Sequence, residues 1–134
     1  MDSSSHSIDP VQLEQLKKDC KNTSDDIMLF IHHPPLLCGC YFMDHNYPLL
    51  NHEVVYPLIQ SLQNIKFIIC GHYHTEKTVF RDGQLILLTP STMLQFNQTD
   101  PNFKIDFEKE NQAIGWRMIV WREGTIESCI NYVK

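Results

Sequence analysis

Two histidine-bearing segments of this chain have the residue types and the spacing that metal chemistry requires. His32-His33-Pro34-Pro35 follows one short apolar run, and Gly71-His72-Tyr73-His74 follows another. Neutral imidazole is the commonest nitrogen ligand for ions such as zinc, iron and manganese. In an extended backbone His72 and His74 point to the same side, whereas in a turn they diverge toward two ions. The pattern therefore predicts a metal site that includes His32, His72 and His74.

Each segment alone also has a purely structural explanation. A single histidine at the end of a strand is usually a polar boundary residue, so His32-His33 by itself is weak evidence for a ligand. Ligands of open α/β sheets bind beyond the carboxyl ends of the strands, and here two such ends carry histidines. We therefore favour a metal-directed site. The other histidines stand in polar stretches and are predicted to be solvated: His6, His45 and His52.

The elements that must position these histidines predict an α/β fold. Ile27–Ile31 and Lys66–Cys70 are largely apolar runs bounded by polar residues, which is typical of strands buried on both faces of a parallel sheet. Residues 51–63 carry an apolar helical face between them, although Pro57 predicts a kink or a restart of that helix. Strand, helix and strand at this spacing form a βαβ unit.

A further helix is predicted near the start of the chain. Asp9 suits the N-cap, Pro10 suits the first helical position, and Gln12 stands where a capping box places its third residue. The helix is predicted to continue to about Cys20, with an apolar stripe of Val11, Leu13, Leu16 and Cys20.

The second half of the chain has the signals of antiparallel hairpins. Asp82-Gly83 separates two apolar runs within residues 77–88, and Glu123-Gly124 separates two more within residues 116–133. Between the hairpins, the polar stretch from about Met93 to Gly115 is predicted to be a functional or partly disordered loop.

Composition excludes several classes of partner and location. The formal net charge of −5 does not favour nucleic acid or acidic lipid, and no apolar run is long enough for a membrane span. Residues 1–9 lack the apolar region of a secretory signal. The odd count of five cysteines, without a framework spacing, predicts reduced thiols in the cytoplasm. Cys38-Gly39-Cys40 could bind metal or form a redox pair, but a plain loop is favoured because such a site needs a second pair.

The two histidine segments resemble the last two motifs of the calcineurin-like metallophosphoesterases. Thr89-Pro90-Ser91-Thr92 with Gln95-Phe96 is similar to the sequence that follows the Gly-His-x-His motif in bacterial 3′,5′-cyclic-AMP phosphodiesterases. Ala113–Arg117 resembles the Gly-Trp-Arg segment of the same enzymes, and Gly39-Cys40 with Asp44 resembles their loop after the double proline. The resemblance covers nearly the whole chain.

This resemblance implies a hydrolase of cyclic nucleotides, with a small phosphodiester such as 3′,5′-cyclic AMP as substrate. Family members use two metal ions, iron, manganese or zinc, to activate a bridging hydroxide and to neutralise charge on the phosphate. By resemblance, His32 and His72 bind one ion, and His74 binds the other and lies near the substrate phosphate. His33 is expected to make only a contact behind the ligands.

The chain also departs from the family pattern. The Asp-x-His, Gly-Asp-x-x-Asp and Gly-Asn-His motifs of the family do not occur in it. The resemblance therefore implies that residues 1–134 are the C-terminal portion of a calcineurin-like domain, half of its four-layer sandwich, as in a truncated form or an interrupted gene. No catalytic residue is assignable, at most about one ion is expected, and the isolated chain is expected to be inactive.

Two alternatives remain open at this stage. Three histidines and a water suit a single-zinc hydrolase, and a non-catalytic metal-binding or interaction domain would keep the histidines as a relic. Strands without their usual neighbours would expose a sheet edge and an apolar face, which invites pairing with another chain. We therefore expect a homodimer or larger assembly, or association with the missing N-terminal half.

Overall fold

A computed structural model describes residues 1–98, 100, 102 and 113–133 of the chain. Within those residues it is a mixed α/β structure with one four-stranded sheet and one two-stranded sheet. The helices are α1 (Pro10–Lys21), α2 (Tyr41–Asn46) and α3 (His52–Ser61). The strands are β1 (Ile27–Ile31), β2 (Ile65–Cys70), β3 (Lys77–Arg81), β4 (Gln84–Leu88), β5 (Gly115–Arg122) and β6 (Thr125–Tyr132).

The predicted βαβ unit is confirmed. Strands β1 and β2 are parallel neighbours, with Ile31 paired with Cys70 at their carboxyl ends. The sheet order is β1-β2-β4-β3, where β4 is parallel to β2 and β3 is antiparallel to β4. Because the ends of β1 and β2 are level, the segments that follow them leave the sheet side by side.

Both predicted hairpins are confirmed, and each has a two-residue turn. Asp82 and Gly83 have φ angles of 54° and 82°, and Glu123 and Gly124 have φ angles of 49° and 75°. Positive φ at both turn positions matches the right-handed twist of the flanking strands, which explains the glycine in each turn. The loop predicted from about Met93 to Gly115 lies mostly outside the described residues.

Helix α1 begins where its N-cap predicts, but two details of the sequence interpretation are wrong. Asp9 accepts a hydrogen bond from the Val11 amide at 2.7 Å, as an N-cap should. Gln12 forms no capping box, because its side-chain amide bonds the main chain of Asp2 through both its oxygen and its nitrogen. Val11 is 76% exposed, so the buried stripe consists of Leu13, Leu16 and Cys20 alone.

Helix α3 contains Pro57 within its ten residues, so the helix continues through the proline. It ends at Ser61, two residues before the predicted boundary, and it buries Val55, Tyr56 and Ile59. The short helix α2 was not predicted, since its six residues are too few to establish a helical period.

The two faces of the four-stranded sheet differ in how completely they are covered. The core face carries Leu29, Ile68 and Ile86, all within 6% exposure, and packs into one cluster with α1 and α3. Strand register places Phe30, Phe67 and Phe80 on the opposite face. Phe67 contacts Trp121 of β5, with ring centroids 6.3 Å apart. Phe30 is 57% exposed and Phe80 73%, so this second face is apolar and partly open to water.

Only one of the five cysteines is expected to react quickly in the folded chain. All five are free thiols, and Cys129 alone is exposed. Burial raises the pKa of Cys38 to about 12 and that of Cys40 to about 11, which leaves very little reactive thiolate. A disulfide reagent should therefore titrate one thiol per native chain, the others reacting about 100-fold more slowly. Cys129→Ser should remove the fast phase, and two fast thiols in the native chain would contradict this picture.

None of the helices among the described residues has the length and apolar character needed to cross a membrane.

Candidate metal-binding site

Two of the predicted ligands lie side by side at the carboxyl ends of β1 and β2. His32 directly follows β1, His72 follows β2 after Gly71, and their ring centroids are 5.0 Å apart. The Gly71 amide donates to the His32 carbonyl at 3.1 Å, which extends the pairing of the two strands. A Cβ atom at Gly71 would stand 3.2 Å from His32 Nδ1, so the glycine leaves room for the imidazole.

The structure adds two further imidazoles to this pair. His33 is 3% exposed, its ring centroid lies 3.9 Å from that of His72, and its Nδ1 is 2.8 Å from the Ser3 hydroxyl. His6 lies 4.8 Å from His33 and 6.2 Å from His72 between ring centroids. His6 is exposed, as predicted, but it also contacts the cluster, which the sequence interpretation missed. His45 is also exposed, while His52 is half-buried with its Nδ1 2.9 Å from the Leu49 carbonyl.

The turn that carries His72 and His74 has an uncommon backbone. Both residues have positive φ, 62° at His72 and 47° at His74, and the intervening Tyr73 is fully buried. A left-handed conformation costs a residue with a side chain about 1 to 2 kcal/mol. Such strain persists where the surrounding structure holds the backbone in place, and it is concentrated at functional sites.

The ring of His74 packs against a different neighbour from the rings of His32 and His72. The ring of His74 stacks on Phe96, with centroids 4.5 Å apart and planes 9° from parallel. The Phe96 amide donates to the His74 carbonyl at 2.9 Å, so the Gln95-Phe96 segment closes over the turn. The His74 Nδ1 is buried and has no hydrogen-bond partner among the described residues.

The segments that carry the family resemblance, which lie within residues 89–96 and 113–117, are close to this turn. Gln95 bonds the main chain of Ser91, the Ser91 carbonyl accepts from the Gly115 amide at 2.9 Å, and Arg117 donates to the Leu88 carbonyl at 2.8 Å. These hydrogen bonds therefore connect the end of β4 to the start of β5, beside His74.

Burial favours the neutral form of four of these histidines: His32, His33, His72 and His74. Burial, followed by the neighbouring His32 and His6, lowers the pKa of His33 to about 4. Burial, followed by His33, also lowers the pKa of His72 to about 4, while a bond to the Tyr47 carbonyl acts in the opposite direction. Burial also lowers the pKa of His32 and of His74. Neutral imidazole is the form that binds metal ions.

The donor chemistry fits a transition metal, but the arrangement does not supply a complete ligand set. Within residues 1–98, 100, 102 and 113–133, no three His, Cys, Asp or Glu side chains are placed to hold one ion. His72 Nε2 lies 3.1 Å from the Tyr47 carbonyl, which can only accept, so the neutral ring has its free lone pair at Nδ1. His32 and His72 thus form a pair of neighbouring imidazoles, and the ring of His74 stacks on Phe96.

The fold and the cluster define a mixed α/β protein with neutral imidazoles at the carboxyl ends of parallel strands. No family model matches the chain. Curated proteins similar to it include a probable cyclic nucleotide phosphodiesterase of Fibrobacter succinogenes, 34% identical over 98% of this chain and 50% of that protein. Another is the 3′,5′-cyclic adenosine monophosphate phosphodiesterase CpdA of Escherichia coli K12, 32% identical over 86% of this chain and 41% of that protein.

These relatives confirm the resemblance to cyclic nucleotide phosphodiesterases that the segments Thr89–Thr92 and Ala113–Arg117 carry. A CpdA of Vibrio vulnificus is likewise 32% identical, over 72% of this chain and 32% of its own length. The chain spans about half the length, or less, of the curated relatives it matches.

Proposed function

We propose that this chain supplies part of the active site of a metal-dependent cyclic nucleotide phosphodiesterase, with 3′,5′-cyclic AMP as substrate. The observation that carries the proposal is the pairing of His32 and His72, 5.0 Å apart between ring centroids, at neighbouring strand ends. The names of the relatives supply the substrate class, since they describe cyclic nucleotide phosphodiesterases.

In this proposal His32 and His72 bind one divalent ion, and His74 binds a second ion or the substrate phosphate. Zinc, manganese and iron all accept neutral imidazole. Such ions, when bound, supply an activated water and neutralise charge on the phosphate. The residues of this chain hold the imidazoles neutral and fix their directions. None of them is assigned as a catalytic acid or base.

The remaining ligands, in the same proposal, belong to a polypeptide that corresponds to the part of the relatives this chain does not match. Two considerations support it: the chain spans about half of the Fibrobacter relative, and the described residues lack a third ligand for the His32–His72 pair. A single-zinc hydrolase would instead need three donors around one ion. A non-catalytic interaction domain would need no metal at all.

The same polypeptide is proposed to cover the open apolar face of the four-stranded sheet, completing a sandwich of two sheets. Strand β1 is at the edge of the sheet, and Phe30 and Phe80 on that face are more than half exposed. An exposed apolar face beside an edge strand is typical of an interaction surface. A cytoplasmic location is proposed as well, because all five cysteines are free thiols.

Metal content tests the proposed ligands directly. After dialysis against zinc, the chain should retain up to about one ion, because the described imidazoles favour one site over two. The His72→Ala, His74→Ala double variant should retain at least about 10-fold less at the same free zinc. His45→Ala is the matched control, since His45 is exposed and outside the cluster. Equal zinc content in the double variant and in the unaltered chain would contradict the proposal.

A further inference from the structure

The carboxylate of Asp44 joins the two loops that carry the histidines. Its Oδ1 accepts from the Cys38 amide at 3.0 Å and from the Tyr73 hydroxyl at 2.7 Å. Its Oδ2 accepts from the Cys40 amide at 2.8 Å. Cys38 and Cys40 belong to the loop that follows His32-His33-Pro34-Pro35, whereas Tyr73 stands between His72 and His74. One side chain thus connects the ends of β1 and β2 beyond the sheet.

Tyr73 is well suited to transmit this connection. Its side chain is 0% exposed, so the ring has no room to adopt another position. The Tyr73 carbonyl accepts from the side-chain amide of Gln98, so the residue is held at its backbone and at its hydroxyl.

We propose that Asp44 and Tyr73 are positioning residues of the histidine site, and that their hydrogen bond fixes the directions of the His72 and His74 imidazoles. The turn needs such a restraint because both flanking histidines are left-handed, with φ of 62° and 47°. A backbone of that kind relaxes unless its surroundings hold it. The functional role of these residues rests on the proposed metal site, whereas their hydrogen bond is present in the metal-free chain.

The test removes the hydroxyl donor with minimal change of volume in Tyr73→Phe. Separately, Asp44→Asn replaces the two acceptor oxygens of the carboxylate with the single acceptor oxygen of an amide. Tyr56→Phe is the matched control, because Tyr56 is also buried and also donates to a carboxylate, that of Asp82 at 3.3 Å, on another part of the sheet. The readouts are the imidazole NMR signals of His72 and His74 in the metal-free protein, the zinc affinity, and the thermal midpoint of unfolding.

We expect Tyr73→Phe and Asp44→Asn to broaden or double the His72 and His74 signals and to lower zinc affinity about 10-fold or more. The double variant should lose less affinity than the sum of the two single losses, because both substitutions act on the contact between Asp44 and Tyr73. Tyr56→Phe should leave the signals and the affinity unchanged even if it lowers the thermal midpoint.

Unchanged imidazole signals in Tyr73→Phe and Asp44→Asn, with a loss of thermal stability like that of Tyr56→Phe, would overturn the proposal and leave a merely structural bond. Zinc binding by the unaltered chain distinguishes failure of the positioning proposal from failure of the proposed metal site. If the unaltered chain binds no zinc, this chain alone does not form the metal site, while the imidazole signals still decide whether Asp44 and Tyr73 position the turn.

Discussion

The isolated chain is expected to hydrolyse 3′,5′-cyclic AMP with a turnover at least about 1,000-fold below that of an ordinary enzyme. The low end of ordinary enzyme turnover is about 1 per second. Two-metal phosphodiester hydrolysis needs both ions to hold the attacking and the leaving oxygens. The described residues offer the His32–His72 pair and a separately directed His74, with no third donor to complete an ion's shell.

Under the proposed function, adding a polypeptide that corresponds to the unmatched part of the relatives should produce this activity. We would express the half of the Fibrobacter succinogenes relative that this chain does not match, mix it with this chain and manganese, and measure release of 5′-AMP. Turnover should rise by at least about 1,000-fold toward the ordinary range. His72→Ala should abolish the restored activity, and the exposed His45→Ala should retain it.

Turnover near about 1 per second by the isolated chain, dependent on His72, would contradict this expectation. It would favour the single-zinc hydrolase instead. Loss of activity in His45→Ala to the same degree as in His72→Ala would show that the effect is not specific to the cluster.

A charge at Phe30 is expected to weaken docking of that second polypeptide by at least about 100-fold, because burying an unpaired carboxylate in an apolar interface is costly. Phe30 is 57% exposed in this chain, so Phe30→Glu should change the free energy of unfolding by no more than about 0.5 kcal/mol. The measurement is a binding titration between the two polypeptides, accompanied by thermal unfolding of the variant alone.

Val54→Glu is the matched control for this prediction. Val54 is 63% exposed and lies on α3, which packs with the core face of the sheet rather than with the open face. The Val54→Glu variant should bind the second polypeptide with the same affinity as the unaltered chain. Equal docking of Phe30→Glu would show that the open face is not the contact surface. A stable, saturating homodimer of the unaltered chain by light scattering would identify a second copy as the occupant.

The local sequence determined most of the secondary structure. The Asp-Gly and Glu-Gly turns require left-handed φ angles that few other residue pairs tolerate, so both hairpins were predictable from dipeptides. The apolar runs of β1 and β2 predicted parallel neighbours, and that pairing alone places His32 beside His72.

Only the tertiary structure decided which side chains meet. Periodicity assigned Val11 to the core of α1 and Gln12 to a capping box, but packing leaves Val11 exposed and directs Gln12 to Asp2. The directions of the His74 ring onto Phe96 and of Asp44 onto Tyr73 depend on residues more than twenty positions apart. Local propensity carries no information about such partners, because each contact forms only after the sheet has brought the loops together. The sequence alone therefore identified the histidines, and the fold decided that His32 and His72 form a pair while His74 faces Phe96.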